Sequence, residues 1–289
     1  MAFMQCPSLT ALSLPESLMR IETGAFMGCT SLENINIPSA VSYIGEGAFS
    51  NTKWLDNQPD GIVYAGNVAY TYKGEMPAAA SLKLHSKTIG IAECAFQGCE
   101  NLAEISISES VRDIGRLAFG GCTSLKSITL PAQLLTIKSE TFKGCTQLAY
   151  VSVGDTMLIE WNAFDGCSSL KSLTLPYITN IEENAFGYSY NPSKGSYSKY
   201  SGLSITGYSD SPAQEYAARN GFDFISRGTS ETGDINGDHK RTLIDCVMLN
   251  QFLICGRSLS PQELCRADIT GNGLVNVLDF IALKSLFFE

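Results

Sequence analysis

Over residues 2–206 the hydrophobic and polar positions repeat with a period that can be counted. An aromatic residue, usually in an Ala-Phe pair, recurs at Phe3, Phe26, Phe49, Tyr72, Phe96, Phe119, Phe142, Phe164 and Phe186, in steps of 22 to 24 residues. After most pairs come Gly-Cys, a polar residue, Leu, two variable positions and an apolar-x-apolar alternation often closed by Pro. The segments Gly28 to Pro38 and Gly121 to Pro131 are two copies. Period-two alternation predicts a short strand in each copy, turning Leu12 and Leu14, Ile35 and Ile37, or Ile128 and Leu130 inward. The positions between them and their equivalents, Ser13, Asn36, Ser106, Thr129, Ser152 and Thr174, then make an outward polar stripe. One unit cannot bury its apolar face alone, so neighbouring units must stack into a continuous core.

A period of about 20–29 residues with L-x-x-L-x-L at its heart predicts a leucine-rich-repeat solenoid, with short parallel β-strands stacked in coils of mixed α/β character. The Ile-Gly-x-x-Ala-Phe-x-Gly-Cys unit, as in Ile114 to Cys122, resembles the bacterial surface-antigen class of leucine-rich repeats. The resemblance covers residues 2–206. Two stretches break the rhythm. Residues 54–77 look like a degenerate unit with an extra hairpin, and residues 187–202 are a Tyr/Ser/Gly insertion. Its tyrosines Tyr188, Tyr190, Tyr197 and Tyr200 are candidate anchors for a ligand, or stacking platforms for sugars. Trp54 and Trp161 are expected in the core. Residues 207–226 read as an end cap. Ser211 is its N-cap, Pro212 its first helical residue and Gly221 its stop. The solenoid with its cap is thus expected over 1–226 and a polar linker over 227–233. Because the chain begins in the middle of a repeat unit, an N-terminally truncated array is expected.

The last 56 residues change character. Two twelve-residue segments, Asp234 to Asp245 and Asp268 to Asp279, start 34 residues apart and share oxygen-bearing side chains at positions 1, 3, 5, 9 and 12. A hard dication takes about 6–8 oxygens at roughly 2.3–2.6 Å, and such a loop supplies alternate side chains plus one carbonyl. The first set is Asp234, Asn236, Asp238, Thr242 and Asp245 with the Lys240 carbonyl. The second is Asp268, Thr270, Asn272, Asn276 and Asp279 with the Leu274 carbonyl. Two Ca²⁺ ions are expected. The loops are unequal. Position 6, a sharp turn, is Gly273 in one and His239 in the other, while Thr270 replaces a carboxylate or amide at position 3. Each loop is followed by an apolar-rich helical stretch, and neither shows a comparable helix leading into it.

A duplicated loop-plus-exiting-helix resembles the dockerin module of bacterial cellulosomes, over residues 234–289. The resemblance implies docking on a cohesin module of a scaffold protein, through loop positions 10 and 11 and the exposed face of the following helix. Here these are Leu243, Ile244, Asn250 and Gln251 in one copy, and Val277, Leu278, Lys284 and Ser285 in the other. The near-symmetry implies two docking orientations related by a half-turn, unequal in energy because Asn250-Gln251 faces Lys284-Ser285. It also implies a secreted protein attached to a cellulosome or cell surface. Metal binding should be coupled to folding, since so short a module buries little core.

Composition narrows the function. Six of the ten cysteines, Cys6, Cys29, Cys99, Cys122, Cys145 and Cys167, share one repeat position, which predicts a ladder of buried thiols. A bridge among Cys246, Cys255 and Cys265 stays open. The net charge of −9 argues against nucleic acid and anionic membrane surfaces, and no run suits membrane insertion. The two histidines, His85 and His239, lie in different regions, and no H-E-x-x-H, G-x-S-x-G or Walker sequence appears. The leading expectation is a non-catalytic cellulosome component acting near plant polysaccharide, with the repeats binding an unidentified protein or polysaccharide. Two alternatives stand beside it: the spacer and docking part of an enzyme whose catalytic domain lies upstream, and a cell-surface adhesin.

Overall fold

A computed structural model describes residues 3–176, 179–209, 211–229, 233–237, 242–269 and 274–285. Two compact units divide the chain, one of residues 1–173 and 181–203, the other of residues 174–180 and 204–289.

The first unit is a solenoid. Three-residue strands pair in parallel one repeat apart, Ala11–Ser13 with Asn34–Asn36 and Ser127–Thr129 with Tyr150–Ser152. A second, two-residue ladder runs alongside, pairing Arg20–Ile21 with Tyr43–Ile44, Gly90–Ile91 with Asp113–Ile114, and Thr136–Ile137 with Leu158–Ile159. The inward alternation is complete in the later coils, where Ile128 and Leu130 are buried, and partial at the first, where Leu12, Leu14, Ile35 and Ile37 are half-buried.

The core is made of repeated side chains meeting their own copies. Phe3, Phe26 and Phe49 stack at 5.6 and 5.3 Å between centroids, and Phe96, Phe119, Phe142 and Phe164 at 5.5, 5.5 and 5.0 Å. Beside them the thiols of Cys29, Cys122, Cys145 and Cys167 each donate to the carbonyl of the phenylalanine one coil back, at 3.0 to 3.2 Å. Nine cysteines are free thiols, and the Cys265 side chain lies outside the described residues. Burial pushes the Cys122 and Cys167 thiols well up. Two residues after each phenylalanine the chain turns through a left-handed conformation. At Gly166 a Cβ would also come within 3.2 Å of the Gly144 backbone, so neighbouring turns pack too closely for a side chain.

The aromatic ladder is interrupted between Phe49 and Phe96, and here the structure corrects the expected series. Tyr72 is only half-buried, whereas Tyr70 is buried and meets Phe49 edge-on at 5.3 Å. Its hydroxyl accepts the Phe49 N–H at 3.0 Å, a role that a backbone carbonyl of the next coil fills for Phe26. The expected hairpin is present, Gly61–Ala65 antiparallel to Val68–Lys73, preceded by helix α1, Lys53–Asp56. Trp54, on α1, is buried as expected, against Phe49 at 4.6 Å. Trp161 is not in the core. It stands 47% exposed, on a coil turn that carries polar residues such as Thr23, Glu46 and Arg116 in other coils.

In the second unit, strands Ser204–Ser209 and Asp223–Thr229 pair in parallel around helix α2, Pro212–Asn220. Ser211 caps α2 by accepting the Gln214 N–H, and Gly221 ends it in the left-handed conformation. The second strand runs to Thr229, into the stretch read as linker. Three further helices follow: α3, Leu243–Cys255; α4, Pro261–Ala267; and α5, Val277–Ser285. Neither loop is expected to have a comparable helix leading into it; a short one, α4 of 7 residues against 13 in α3, leads directly into Asp268. It is started by a reciprocal cap between Ser260 and Glu263. Helices α3 and α5 pack together over a core of Ile235, Cys246, Met248, Leu249, Leu259, Ala267 and Leu283.

Candidate calcium loops, docking face and ligand hairpin

Both loops run into their helices by the same construction. In the first, Thr242 is the N-cap of α3, and its hydroxyl accepts the Ile244 N–H at 3.2 Å. Asp245 accepts the Thr242 N–H at 2.7 Å through one carboxylate oxygen and the Asn236 N–H at 3.1 Å through the other. In the second, Asn276 Oδ1 accepts the Leu278 N–H, and Asp279 accepts the Asn276 N–H, both at 2.8 Å. Positions 9 and 12 therefore start the helix as well as facing the loop.

Asp234, Asp245 and Asp279 are all buried. A buried carboxylate is costly unless hydrogen-bonded and offset by positive charge. The donors that reach Asp245 are neutral: two backbone amides and the Thr242 hydroxyl at 3.2 Å. Asp234 takes the Gly237 N–H at 2.9 Å. The hard oxygens of these side chains are of the kind that suits Ca²⁺. Asp238 and Lys240 of the first loop and Thr270 and Asn272 of the second lie outside the described residues. Among the described residues no three His, Cys, Asp or Glu side chains gather in one place, so neither loop is closed by its described acids alone. The Leu274 carbonyl accepts the Asn276 side-chain amide at 3.1 Å. Arg266 ties the first loop down, its guanidinium donating to the Ile235 carbonyl at 2.9 Å while its own carbonyl accepts the Gly233 N–H.

On the outer side of the helices the two copies match residue for residue. Leu243, Ile244 and Val247 on α3, and Val277, Leu278 and Ile281 on α5, are all 53–71% exposed. Both aliphatics of each expected pair thus face solvent. Val247 and Ile281 were missed, although each lies one helical turn after Leu243 or Val277, a spacing that puts it on the same face. Leu249 and Leu283, again equivalent, are fully buried on the other side. Asn250 is half-buried. Gln251 is exposed and accepts from Arg257 at 3.1 Å. Lys284 is exposed and lies over the Phe280 ring at 5.5 Å; the Ser285 side chain lies outside the described residues.

In the solenoid, the insertion forms an antiparallel hairpin, Tyr188–Asn191 with Ser196–Lys199. Tyr190 sits opposite Tyr197, with ring centroids 5.1 Å apart, and Tyr188 meets Tyr197 edge-on at 6.4 Å. These three share one face. Tyr200 follows the hairpin, and its hydroxyl pairs with Ser189, which alternates to the opposite face. The hairpin is anchored from below. Asn162 donates its amide to the Tyr197 hydroxyl at 2.8 Å, and Asp165 accepts the Tyr190 N–H at 2.8 Å. Both anchors are buried, and burial raises the Asp165 carboxyl above its ordinary range.

The family described as BspA type leucine rich repeat region matches in six copies over residues 1–71 and 66–192, and the type I dockerin domain matches residues 232–287. No curated protein matches the chain. Among solved structures, a leucine rich cell surface protein from Faecalibacterium prausnitzii is 22% identical, over 61% of this chain and 60% of its own, with a TM-score of 0.36. The leucine rich repeat protein of T. pallidum is 28% identical, over 58% and 68%, with a TM-score of 0.30. The pneumococcal vaccine antigen PcpA is 18% identical, over 76% and 68%, with a TM-score of 0.44. The chain spans 60% of the F. prausnitzii protein's length and 42% of that of a leucine-rich repeat protein from Eubacterium ventriosum. No helix among the described residues is long and apolar enough to cross a membrane.

Proposed function

Because the chain belongs to the BspA type leucine rich repeat family and carries a type I dockerin domain, we propose that it is a secreted, non-catalytic component of a cellulosome-like assembly. Type I dockerins bind calcium and dock on cohesins, and neither module type is catalytic. In this reading the chain is a solenoid and cap over 1–226, a linker at 227–233 and a docking plug at 234–289. Two Ca²⁺ ions sit in loops 234–245 and 268–279, held by the twelve residues of the sequence template. The repeats present a protein- or glycan-binding surface, and the assembly works on plant polysaccharide outside the cell or at its surface.

The observation that carries the reading is the matched pair of exposed aliphatic triads, Leu243-Ile244-Val247 and Val277-Leu278-Ile281. Large apolar side chains left in solvent at equivalent positions of two copies mark a face awaiting a partner. Asn250, Gln251, Lys284 and Ser285 flank these triads and set which copy leads.

The test is capture of the whole chain by a panel of type I cohesins, with calcium and with chelator. At least one cohesin should bind in calcium and release on chelation. Binding to none, or binding that survives chelator, contradicts the proposal. Changing both Leu243-Ile244 and Val277-Leu278 to Asp should abolish capture, while changing one pair should weaken it less. Equal loss from either single-pair variant and the double would rule out two usable orientations.

A further inference from the structure

We propose that Trp161 and the tyrosine face of the 188–199 hairpin form a stacking platform for the pyranose rings of a neutral polysaccharide. The proposal rests on reading the repeats as a binding surface and names what they bind.

The first observation is a departure from the repeat. Three residues before the coil phenylalanine, other coils carry Thr23, Glu46, Glu93, Arg116, Ser139 and Glu183. Only the coil ending in Phe164 places an indole there, 47% exposed. The backbone at that position needs nothing from the ring. The Trp161 N–H donates to Glu182 at 2.9 Å, just as the Ser139 N–H donates to Glu160 at 2.8 Å one coil earlier. The solenoid thus builds the same turn with a serine, and the large apolar ring in solvent has no fold-derived reason.

The second observation is that neighbouring rings are held in place rather than left loose. Asn162, one Cα step of about 3.8 Å from Trp161, is the residue whose amide holds the Tyr197 hydroxyl at 2.8 Å. Tyr190 and Tyr197 are 41% and 37% exposed, packed 5.1 Å apart at 53°. The two anchors beneath them are costly. Asp165 is a buried carboxylate that accepts the Tyr190 N–H, and Asn162 leaves its Oδ1 buried without a hydrogen-bond partner. Buried polar groups of this kind are retained where they orient something. Here they orient partly exposed aromatic rings.

The third observation selects the ligand. Residues 187–202 contain no Val, Leu, Ile, Met or Phe. Ser189, Asn191, Ser196 and Ser198 alternate to the opposite face, and on the ring face the hairpin adds Lys199 opposite Tyr188, so no aliphatic side chain of the hairpin is there to exclude water as at a protein interface. A sugar ring suits this surface. Its C–H faces lie on the aromatic planes, and its hydroxyls exchange hydrogen bonds with the tyrosine hydroxyls and with water, without a dry seal.

The test uses the whole chain in native affinity electrophoresis against xylan, mixed-linkage β-glucan and galactomannan, with polygalacturonate as the charged control. Cohesin capture is run on the same samples, so failure of the platform is distinguished from failure of the docking plug. At least one neutral polysaccharide should retard the protein. Trp161→Ala and Tyr197→Ala should each weaken that retardation at least about tenfold (roughly 1.4 kcal/mol), while Tyr200→Phe leaves it unchanged. Trp161 is a surface residue, so its variant should keep the wild-type melting curve. Its indole emission should also shift on titration with the retarding polysaccharide, a shift absent from Trp161→Phe. Three results would overturn the proposal: no retardation by any neutral polysaccharide, retardation unchanged in both alanine variants, or retardation by polygalacturonate alone that disappears with salt. Capture of a protein ligand through the same rings, with all three neutral polysaccharides inactive, would overturn it equally.

Discussion

The solenoid and the C-terminal module solve the same problem, building a core, in opposite ways. In the solenoid the phenylalanine and cysteine ladders set each side chain against its own copy, and the ladder thiols are satisfied by carbonyls of the neighbouring coil. In the module a small apolar cluster is flanked by the buried carboxylates of Asp234, Asp245 and Asp279, and Asp245 is held by two backbone amides and a hydroxyl. The first kind of core is closed on its own terms. In the proposed function the second is completed by a cation from solution, which would make its fold conditional on that ion. Neighbouring regions of one chain thus carry a permanent scaffold and a switchable plug.

The sharpest way to break this contrast is to remove a loop acid. Asp245→Ala takes away both a proposed ligand and the acid that accepts the Thr242 N–H, so cohesin affinity should fall at least about a hundredfold, roughly 2.7 kcal/mol, by calorimetric titration. The denaturant midpoint of the solenoid should not move. A core change in the solenoid should do the reverse. Phe119→Ala empties the middle of a four-ring stack and should cost about 3–5 kcal/mol in chemical denaturation, with cohesin affinity unaltered.

A smaller effect tests a buried ion cluster of the solenoid. Glu140 is buried and paired with Arg116 and Lys143, both partly exposed. Burial alone would raise its carboxyl, but the two cations outweigh burial and hold it below its ordinary range. Solvent screening of the half-exposed partners trims the loss in Glu140→Ala to roughly 1–2 kcal/mol. The sign with pH follows from linkage. A lowered folded-state value means the stabilisation is present above the ordinary carboxylate range and is lost as pH falls through the lowered one. Asp165 runs the other way. Its raised carboxyl makes its charge unfavourable at neutral pH, and acidification relieves that cost. Denaturant midpoints from pH 3 to 7 should therefore fall less steeply with acid in Glu140→Ala than in the parent, and more steeply in Asp165→Asn. The smallest change is Cys145→Ala, which removes one thiol from the ladder and should cost roughly 1 kcal/mol. In the parent, maleimide should label the exposed Cys255 quickly and the buried Cys122 and Cys167 slowly.

The same contrast explains what the sequence made legible. The phenylalanine and cysteine ladders were readable because a solenoid core is set by one-dimensional repetition, and the paired loops because ligand spacing is local. Tyr70 was missed for Tyr72 because the inserted hairpin shifts which ring points inward, and that depends on strand pairing rather than period. Trp161 was expected inside because a large apolar ring usually is, yet its turn carries polar residues in the other regular coils. That signal was available by aligning it with Ser139 and Arg116. Val247 and Ile281 were available too, one turn beyond the expected docking pairs. Helix α4 was hidden by its length, with only the Ser260–Glu263 cap to announce it.

The account's central claim, an ion-completed plug beside a self-sufficient scaffold, is tested most directly by hydrogen–deuterium exchange on the whole chain in calcium and after chelation. Amides of α3 and α5 should be protected in calcium and lose that protection on chelation, while the strand amides from Ala80–Lys83 to Tyr150–Ser152 keep theirs unchanged. Protection of α3 and α5 that persists without calcium, or a loss shared equally by the solenoid strands, would contradict it.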